Sequence, residues 1–323
     1  MAKIILDADL MRHPHSGLYH YCLNIGNRIT QLLRNRYSPH QLYYYAPSQE
    51  CASFQYPQNA IAEKPRWHRF WKPFLWDCSL WHAPFQSGRI FPPVGFKGRI
   101  VLTVHDLNCL HESKPEKEIR NSIQHTQSLI DRSDALVCIS AFCKQDVLAH
   151  CNTGNKPIYV IHNGTHAIGK PALSTGSYVP ARPFYFGMGY VNRKKNYHVL
   201  IPLLEHTDRE LIIAGRLDEP DYVAEIRALA ERLGVSDRLR LTGPVSESEK
   251  AWYLQQCEAF LHPSLAEGFG APVVEAMQFG KPLFLSDRTS LPEIAAGVGF
   301  FFTDFSPDKM QHVRVQLGSS DRY

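Results

Sequence analysis

Residues 261–280 read Leu261-His-Pro-Ser-Leu-Ala-Glu267-Gly268-Phe269-Gly270-Ala-Pro272-Val-Val-Glu275-Ala-Met-Gln-Phe-Gly280. The pattern predicts a strand that ends near His262, a loop with two glycines, and a short helix. Proline suits the first helical position because its missing N–H costs nothing there. Glycine suits the position that follows a helix, as Gly280 does. The unpaired N–H groups at such a helix start favour an anion, and a pyrophosphate fits that description.

Two carboxylates frame this predicted anion site. Glu267 precedes the helix and Glu275 lies one turn inside it. A carboxylate accepts paired hydrogen bonds from adjacent hydroxyls, so one acid could hold a sugar and the other a ribose. In the simpler alternative, Gly268 and Gly270 are turn glycines and both acids are solvated.

Short β-rich runs alternate with helical patterns on both sides of this segment, which predicts parallel sheets covered by helices. The predicted strands are Lys3–Leu6, Leu42–Tyr45, Arg99–Val104, Ala135–Ile139, Ile158–Ile161, Phe184–Phe186, Leu211–Ala214, Leu239–Thr242, Ala259–His262, Leu283–Ser286 and Phe300–Thr303.

The chain of 323 residues is long enough for two domains. We predict an N-terminal Rossmann-like domain over 1–170 that binds an acceptor, a Pro-, Gly- and Ser-rich linker over 171–182, and a second Rossmann-like domain over 183–323. Ligands bind at the carboxyl ends of the strands in such sheets. Two doubly wound α/β domains that face each other would therefore enclose a cleft for two substrates.

The composition, with 44% hydrophobic and 20% charged residues, is that of a soluble globular protein. Eight cysteines without a C-x-x-C pair predict reduced thiols and no zinc site. The first apolar run is too short for a signal peptide, and no run is long enough to span a membrane. We expect a cytoplasmic protein, free or on the inner face of the cell membrane.

Charge is unevenly distributed along the chain. Residues 1–170 hold 19 lysines and arginines against 12 acids, whereas residues 171–323 hold 16 against 19. A basic N-terminal half suggests an anionic acceptor such as a glycolipid, and nothing suggests nucleic acid. Residues 64–76 mix cations with large aromatics, which predicts peripheral membrane contact. A packed aromatic loop is the alternative.

The segment E-G-F-G-x-P-x-x-E-A-M, with Glu267-x7-Glu275, resembles the signature of the family 4 glycosyltransferases, which have the GT-B fold. The resemblance implies that a sugar is moved from a nucleoside diphosphate with retention at the anomeric carbon. It further implies that Glu267 contacts donor-sugar hydroxyls and Glu275 the ribose. The loop at Gly268, Phe269 and Gly270 would meet the sugar or phosphates.

The stretch Gly187-Met-Gly189-Tyr-Val-Asn-Arg193-Lys194-Lys195-Asn196 is similar to the family's diphosphate-binding segment. By that match Lys195 binds the diphosphate, beside Gly189, and Arg193 is a second cation. The family often has an arginine where this chain has Tyr190, so the missing charge is expected from Arg193 or Arg216. A solvated basic loop is the alternative.

Two further candidate sites lie in the N-terminal half. His105 ends a buried strand, resembles the family's histidine near the transferred sugar, and is expected to position substrate. Gly17 is expected near a helix start that faces the donor, although a plain turn glycine would explain it. Asp7-Ala8-Asp9 has the D-x-D form of a metal motif, but metal-bound sugar-nucleotide transferases have another fold. We therefore expect no metal and no cofactor beyond the nucleotide-sugar co-substrate.

Two other functions remain compatible with the sequence. One is a GT-B sugar-nucleotide epimerase, which needs no acceptor, and the other is a nonenzymatic nucleotide-sugar or carbohydrate-binding protein. Residues 305–323 are shorter than the helices that usually follow in the family. Either the chain is truncated at its C-terminus, or domain closure is achieved in a different way.

Overall fold

The computed structural model describes residues 1–14, 16–68, 70–165, 176–205, 207–306 and 309, with 65 and 66 described by their backbone alone. The chain divides into two compact units. The N-terminal unit holds Met1–Leu107 and Lys114–Asn163, and the C-terminal unit holds Asn108–Ser113 and Gly164–Tyr323. Residues 171–175 of the predicted linker, and residues 307, 308 and 310–323 of the predicted truncated end, lie outside the described residues.

The N-terminal unit contains a sheet of seven parallel strands in the order β3-β2-β1-β4-β5-β6-β7. The strands are β1 (Lys3–Asp7), β2 (Gln41–Ala46), β3 (Ala60–Ala62), β4 (Cys78–Ala83), β5 (Arg99–Val104), β6 (Ala135–Cys138) and β7 (Ile158–Val160).

The helices of this unit are α1 (Gly17–Asn35), α2 (Pro65–His68), α3 (Glu116–Asp131) and α4 (Ala141–His150). Serine caps start two of them, because the Ser16 hydroxyl accepts the N–H of Tyr19 and the Ser140 hydroxyl accepts that of Cys143. The buried side of α1 packs with Leu6 and Tyr44 of the sheet.

The C-terminal unit repeats the plan with six parallel strands in the order β10-β9-β8-β11-β12-β13. The strands are β8 (Phe184–Met188), β9 (Glu210–Ala214), β10 (Leu239–Gly243), β11 (Ala259–His262), β12 (Leu283–Ser286) and β13 (Phe300–Phe302). The helices are α5 (Pro220–Arg232), α6 (Glu247–Gln256), α7 (Ala271–Gln278) and α8 (Leu291–Ile294).

Apolar side chains cover both faces of this second sheet. Tyr197 and Leu261 belong to the cluster on one face, and Phe186 and Phe260 to the cluster on the other. Strands buried on both faces are near-continuous hydrophobic runs, which is why β9 and β11 were predictable from the sequence.

In both sheets the chain runs outward from a central strand and then crosses to that strand's other side. The crossing lies between β1 and β4 in the first sheet and between β8 and β11 in the second. The predicted α/β class with two doubly wound sheets is thus confirmed. The carboxyl ends of the strands that flank each crossing are the usual ligand positions of such sheets.

Candidate functional site

Two loops meet at the crossing of the second sheet. One follows β8 and carries Lys195, and the other follows β11 and carries Glu267. The Lys195 ammonium contacts Oε1 of Glu267, and the two side chains are 12% and 11% exposed. Residues 72 positions apart in sequence are thereby joined at the carboxyl ends of neighbouring strands.

His262 contacts the same carboxylate oxygen. Its Nε2 lies 2.9 Å from Oε1 of Glu267, and its side chain is completely buried. Within the described ranges, no group donates to the other carboxylate oxygen, Oε2, of Glu267. The acid thus has one oxygen held by the protein and one oxygen available to accept a hydroxyl.

The surroundings keep Glu267 ionised. Burial by itself raises the pKa of this carboxyl, but the charge of Lys195 and the hydrogen bond from His262 outweigh burial and hold the pKa well below its usual value. Burial lowers the pKa of His262, which therefore stays neutral near pH 7. Glu267 is an acceptor and a fixed negative charge at neutral pH, and it holds no proton to donate.

The backbone of Glu267 is anchored by the loop after β12. The Glu267 N–H donates to the Thr289 hydroxyl at 2.9 Å, and the Ser290 hydroxyl donates to the Glu267 carbonyl at 2.9 Å. Thr289 has a φ of 54°, a left-handed value that is uncommon for a β-branched residue. Such local strain is typical of functional sites in which surrounding contacts hold the backbone.

The predicted glycine loop leads into α7. Gly270 is the N-cap residue with a φ of 89°, and Pro272 lies within the first two helical positions. The positive φ of Gly270 requires glycine, and a Cβ there would also displace the end of the Leu291 side chain, 2.8 Å away. Phe269 is buried and Gly268 is half-buried beside it. The helix ends at Gln278 and Gly280 follows in the left-handed region, as the sequence predicted.

Glu275 lies on α7 and is held by the start of α6. The ammonium of Lys250 donates to Oε1 of Glu275 at 2.9 Å and contacts Glu247 at 2.7 Å. The Glu275 side chain is mostly buried. Burial favours loss of the Lys250 proton, but its two acidic neighbours raise the pKa of Lys250 above its usual value, so the Lys250–Glu275 pair is ionic.

Glycines bring the loops after β8 and β9 unusually close together. Gly189 and Gly215 both have φ of 144°, and a Cβ on Gly215 would lie 2.1 Å from the Gly189 carbonyl oxygen. The Gly189 N–H donates to the Ala214 carbonyl at 2.9 Å. The Lys195 side chain passes over Gly189, where a Cβ would approach it to 3.1 Å. Gly189 thus clears the path by which Lys195 reaches Glu267.

The two other predicted cations are directed elsewhere. Arg193 pairs with Glu225 at 2.8 Å and lies over the Tyr222 ring, both on α5. Arg216 lies 4.5 Å from the ring centroid of Tyr190 and pairs with Asp218. The structure therefore brings Lys195, but not Arg193, to Glu267. Arg216 lies over the ring of Tyr190, the residue at the position where the family often has arginine.

His105 of the N-terminal unit follows β5 and is buried. Its Nε2–H donates to the Pro84 carbonyl at 2.8 Å, and the rings of Tyr21 and Phe85 pack edge-on against it. Burial lowers the pKa of His105 to about 4, so the imidazole is neutral and Nδ1 carries the lone pair. These contacts suit a positioning group and make His105 a weak base.

Gly17 is the first residue of α1, next to its Ser16 cap. Its φ is not positive and a Cβ there would meet no atom within 4 Å, so neither a turn nor packing requires glycine.

The D-x-D segment is part of an ionic network whose carboxylates are buried. Arg12 and Arg89 both contact the Asp9 carboxylate and the Glu63 carboxylate. Both carboxylate oxygens of Asp9 are engaged by guanidinium groups. Across the described parts of the chain, no group of three or more His, Cys, Asp or Glu residues could hold a metal ion.

Sequence reasoning missed several residues of the site. No motif signal marked His262, Thr289, Ser290 or Lys250. Each of them contacts Glu267 or Glu275. Only His262 lies within the segment 261–280, and there it was read as the end of a strand. All eight cysteines are free and six are buried. Among the described helices, none is both long and apolar enough to cross a membrane.

Two family models match the chain. "Glycosyl transferases group 1" matches residues 179–312, and "Glycosyltransferase Family 4" matches residues 13–167. A curated relative is the serotype-specific mannosyltransferase WbdA of Escherichia coli, 26% identical over 234 residues. That match covers 67% of this chain and 28% of WbdA, so the chain spans little more than a quarter of that relative.

Solved structures share the fold. Sucrose-phosphate synthase from Thermosynechococcus elongatus superposes with a TM-score of 0.73 at 14% identity, covering 99% of this chain and 91% of that one. Anabaena HepE in complex with UDP-glucose superposes with a TM-score of 0.66 at 17% identity, covering 100% and 90%.

Proposed function

Because the chain belongs to glycosyltransferase family 4 and has the GT-B fold, we propose that it moves a sugar from a nucleoside diphosphate sugar to a hydroxyl of a saccharide or glycolipid, with retention at the anomeric carbon. One observation carries the proposal. An ionised Glu267 is held between Lys195 and His262 at the strand crossing, beside the start of α7. Negative, positive and helix-dipole groups together suit a sugar joined to a diphosphate.

In this proposal Glu267 accepts hydrogen bonds from donor-sugar hydroxyls through Oε2. Lys195 leaves Oε1 for the diphosphate, where its charge stabilises the leaving group as the glycosidic bond breaks. The N–H groups of the Gly268–Gly270 loop and the start of α7 bind the remaining phosphate oxygens. Glu275, oriented by Lys250, accepts the ribose hydroxyls.

The relatives support a hexose donor. WbdA is named a mannosyltransferase, and HepE was solved with UDP-glucose. We therefore propose a nucleoside diphosphate hexose, used without a metal or other cofactor, and an acceptor of the lipopolysaccharide or cell-surface polysaccharide type.

A thermal-shift screen with nucleoside diphosphate hexoses tests the proposal. A true donor stabilises the folded protein by mass action, and donor at about 100 times its Kd adds about 2.7 kcal/mol. The matched variant is Glu267→Gln, which removes the charge and keeps the size. We expect it to lose the donor-dependent shift.

Product analysis of the same mixtures then separates the alternatives. A new glycoside formed only with acceptor supports the proposed transfer. Epimerised donor formed without acceptor would assign an epimerase, and binding without any product would assign a nonenzymatic binding protein. Absence of any donor-dependent shift across the panel would contradict the proposed function.

We further propose that residues 64–76, the aromatic–basic segment, touch an anionic membrane surface where a glycolipid acceptor resides. Large aromatics at an interface with nearby cations favour such peripheral binding. Several of the segment's aromatics are strongly exposed, namely Trp67, Phe70, Trp71 and Trp76. Lys64 is exposed and Lys72 half-buried among them.

Vesicle flotation tests this surface. We expect binding to vesicles that contain phosphatidylglycerol and weak binding to phosphatidylcholine alone. The double variant Trp67→Ser, Trp76→Ser should reduce binding, whereas Val94→Ser, at an exposed apolar residue outside the segment, should not. Equal binding by both variants would assign the segment to another role.

A further inference from the structure

His262 is the last residue of β11 and no part of it reaches solvent. Its ring lies nearly parallel to that of Phe260, 15° apart in plane. The ring edge that carries Nε2 faces the Glu267 carboxylate at 2.9 Å. The imidazole therefore has a fixed position before any ligand arrives.

The chemistry of this contact determines the tautomer. An ionised carboxylate only accepts hydrogen bonds, so the proton must sit on Nε2 of His262. The other nitrogen, Nδ1, is buried and has no hydrogen-bond partner within the described residues. A second proton there would place an unpaired charged N–H in the interior, which is costly. His262 is thus a neutral, single-direction donor aimed at Glu267.

Oε1 of Glu267 contacts two donors, Lys195 and His262, and these differ in their freedom to move away from it. Lys195 has a flexible stem and a charge that a diphosphate attracts, so it can leave. His262 is completely buried in the sheet, so its ring cannot move to the diphosphate with Lys195. Once Lys195 has moved to the diphosphate, His262 is the donor that still fixes the carboxylate.

We propose, on the basis of the function proposed above, that His262 is the positioning residue of the reaction. It holds Glu267 ionised and oriented toward the donor sugar while Lys195 serves the diphosphate. His262 acts through Glu267 and does not touch the substrate. Its loss therefore removes no formal charge from the protein, but it removes both the constraint on where the carboxylate points and the hydrogen bond that favours its ionised form.

The charged and titratable groups that act on Glu267 are Lys195, Lys194, His262 and the buried Tyr197. The lysine charges favour the carboxylate form, and so does the His262 hydrogen bond. Without that bond, burial weighs more heavily and the pKa of Glu267 rises. The acid limb of kcat/KM then moves to higher pH, which a merely destabilised protein would not show.

The test compares three variants with the wild type. His262→Phe keeps the ring and its stacking on Phe260 but has no N–H. His262→Gln places an amide N–H at a similar reach. The matched control is His198→Leu, since His198 is a half-buried histidine of the same unit that bonds to Tyr222. The readouts are the pH profile of kcat/KM and the 13C chemical shift of the Glu267 carboxyl, assigned with Glu267→Gln.

We expect His262→Phe to lower kcat/KM at pH 7 by about tenfold or more, the usual effect of losing a hydrogen bond to a charged group. Its acid limb and its Glu267 carboxyl titration should both move to higher pH. His262→Gln should recover most of the rate and both pH profiles, and His198→Leu should match the wild type. If His262→Phe does not fold, His262→Asn, whose amide is too short to reach Glu267, takes its place.

Unchanged carboxyl titration in His262→Phe, or an equal rate loss in His262→Gln, would overturn the assignment of His262. A failure of the proposed function would give a different result. In that case the wild type itself would bind and turn over none of the nucleoside diphosphate hexoses.

Discussion

The Lys195 ammonium and the Glu267 carboxylate form an ion pair that joins the loops after β8 and β11. Both side chains are nearly buried, so each depends on the other for its counter-charge. A buried charge left without its partner is costly. If a diphosphate takes Lys195, as we propose, it must arrive together with groups that satisfy Glu267, and sugar hydroxyls are such groups.

Replacement of Lys195 should be far more damaging than replacement of its neighbour Arg193. Lys195→Met removes the charge that we propose binds the diphosphate, and we expect kcat/KM to fall about 100-fold or more. Arg193→Met breaks a largely exposed pair with Glu225, and we expect a change within about threefold. Steady-state kinetics with the donor found by the thermal screen provides the measurement. Similar losses in both variants would place Arg193 at the diphosphate.

The different directions of these cations follow from local geometry that the sequence does not display. Residues Arg193–Lys195 form one turn of 3-10 helix, capped by the Asn192 side chain. With three residues per turn, successive side chains point about 120° apart. Only one of the three cations can then face Glu267, and a motif match cannot tell which one.

Much of the fold was predictable because its strands are apolar runs between turn signals. The strand–loop–helix at 261–280 was predicted almost to the residue. β4 was missed since the polar residues Ser79 and His82 interrupt its apolar run, and it follows the aromatic–basic segment. The predicted roles of Glu267 and Glu275 rested on the family resemblance. The anchors His262 and Thr289 depend on three-dimensional proximity, which no local pattern in one sequence encodes.

Gly215 should tolerate no side chain. A Cβ there would lie 2.1 Å from a backbone oxygen of Gly189, which cannot rotate away, so Gly215→Ala must separate the loops after β8 and β9. We expect a loss of on the order of 3 kcal/mol or more of unfolding free energy. Gly234→Ala is the matched control, since its φ of 66° is also left-handed but no atom lies within 4 Å.

The control should cost only about 1 kcal/mol, the usual penalty for a left-handed non-glycine residue. Urea denaturation of both variants gives the comparison. If Gly215→Ala is no less stable than Gly234→Ala, the close approach of the two loops is wrong.

Transfer should not depend on a divalent metal. Asp9 of the D-x-D segment is engaged by Arg12 and Arg89, so its carboxylate is already neutralised by protein cations. We expect the transfer rate in excess EDTA to stay within about twofold of the rate with Mg²⁺, since in the proposed function Lys195 and amide groups stabilise the leaving-group charge.

Asp9→Asn should act on stability instead. The substitution leaves Glu63 as the remaining carboxylate between Arg12 and Arg89. We expect the free energy of unfolding to fall by about 1–3 kcal/mol. Strong inhibition by EDTA that Mg²⁺ reverses would contradict the assignment of Asp9 to a structural network.

Asp7 should destabilise the protein at neutral pH. It ends β1, is 7% exposed and lies beside Asp9. Burial and the neighbouring Asp9 charge raise the pKa of Asp7 well above its usual value. An acid whose pKa is higher in the folded than in the unfolded state binds its proton more tightly when folded. Its ionisation therefore lowers stability as pH rises from the ordinary carboxyl range toward the folded pKa.

Asp7→Asn removes this penalty while keeping an oxygen that can accept the Asp9 N–H. We expect a gain of about 1 kcal/mol at pH 7, or roughly 2–4 °C in melting temperature, and no gain below the ordinary carboxyl pKa. Asp77→Asn should instead lower the stability at pH 7, because the hydrogen bond from Lys3 lowers the pKa of Asp77. Calorimetry at several pH values distinguishes the two. A loss of stability in Asp7→Asn at pH 7 that disappears on acidification would instead mean that Asp7 is held ionised by its neighbours.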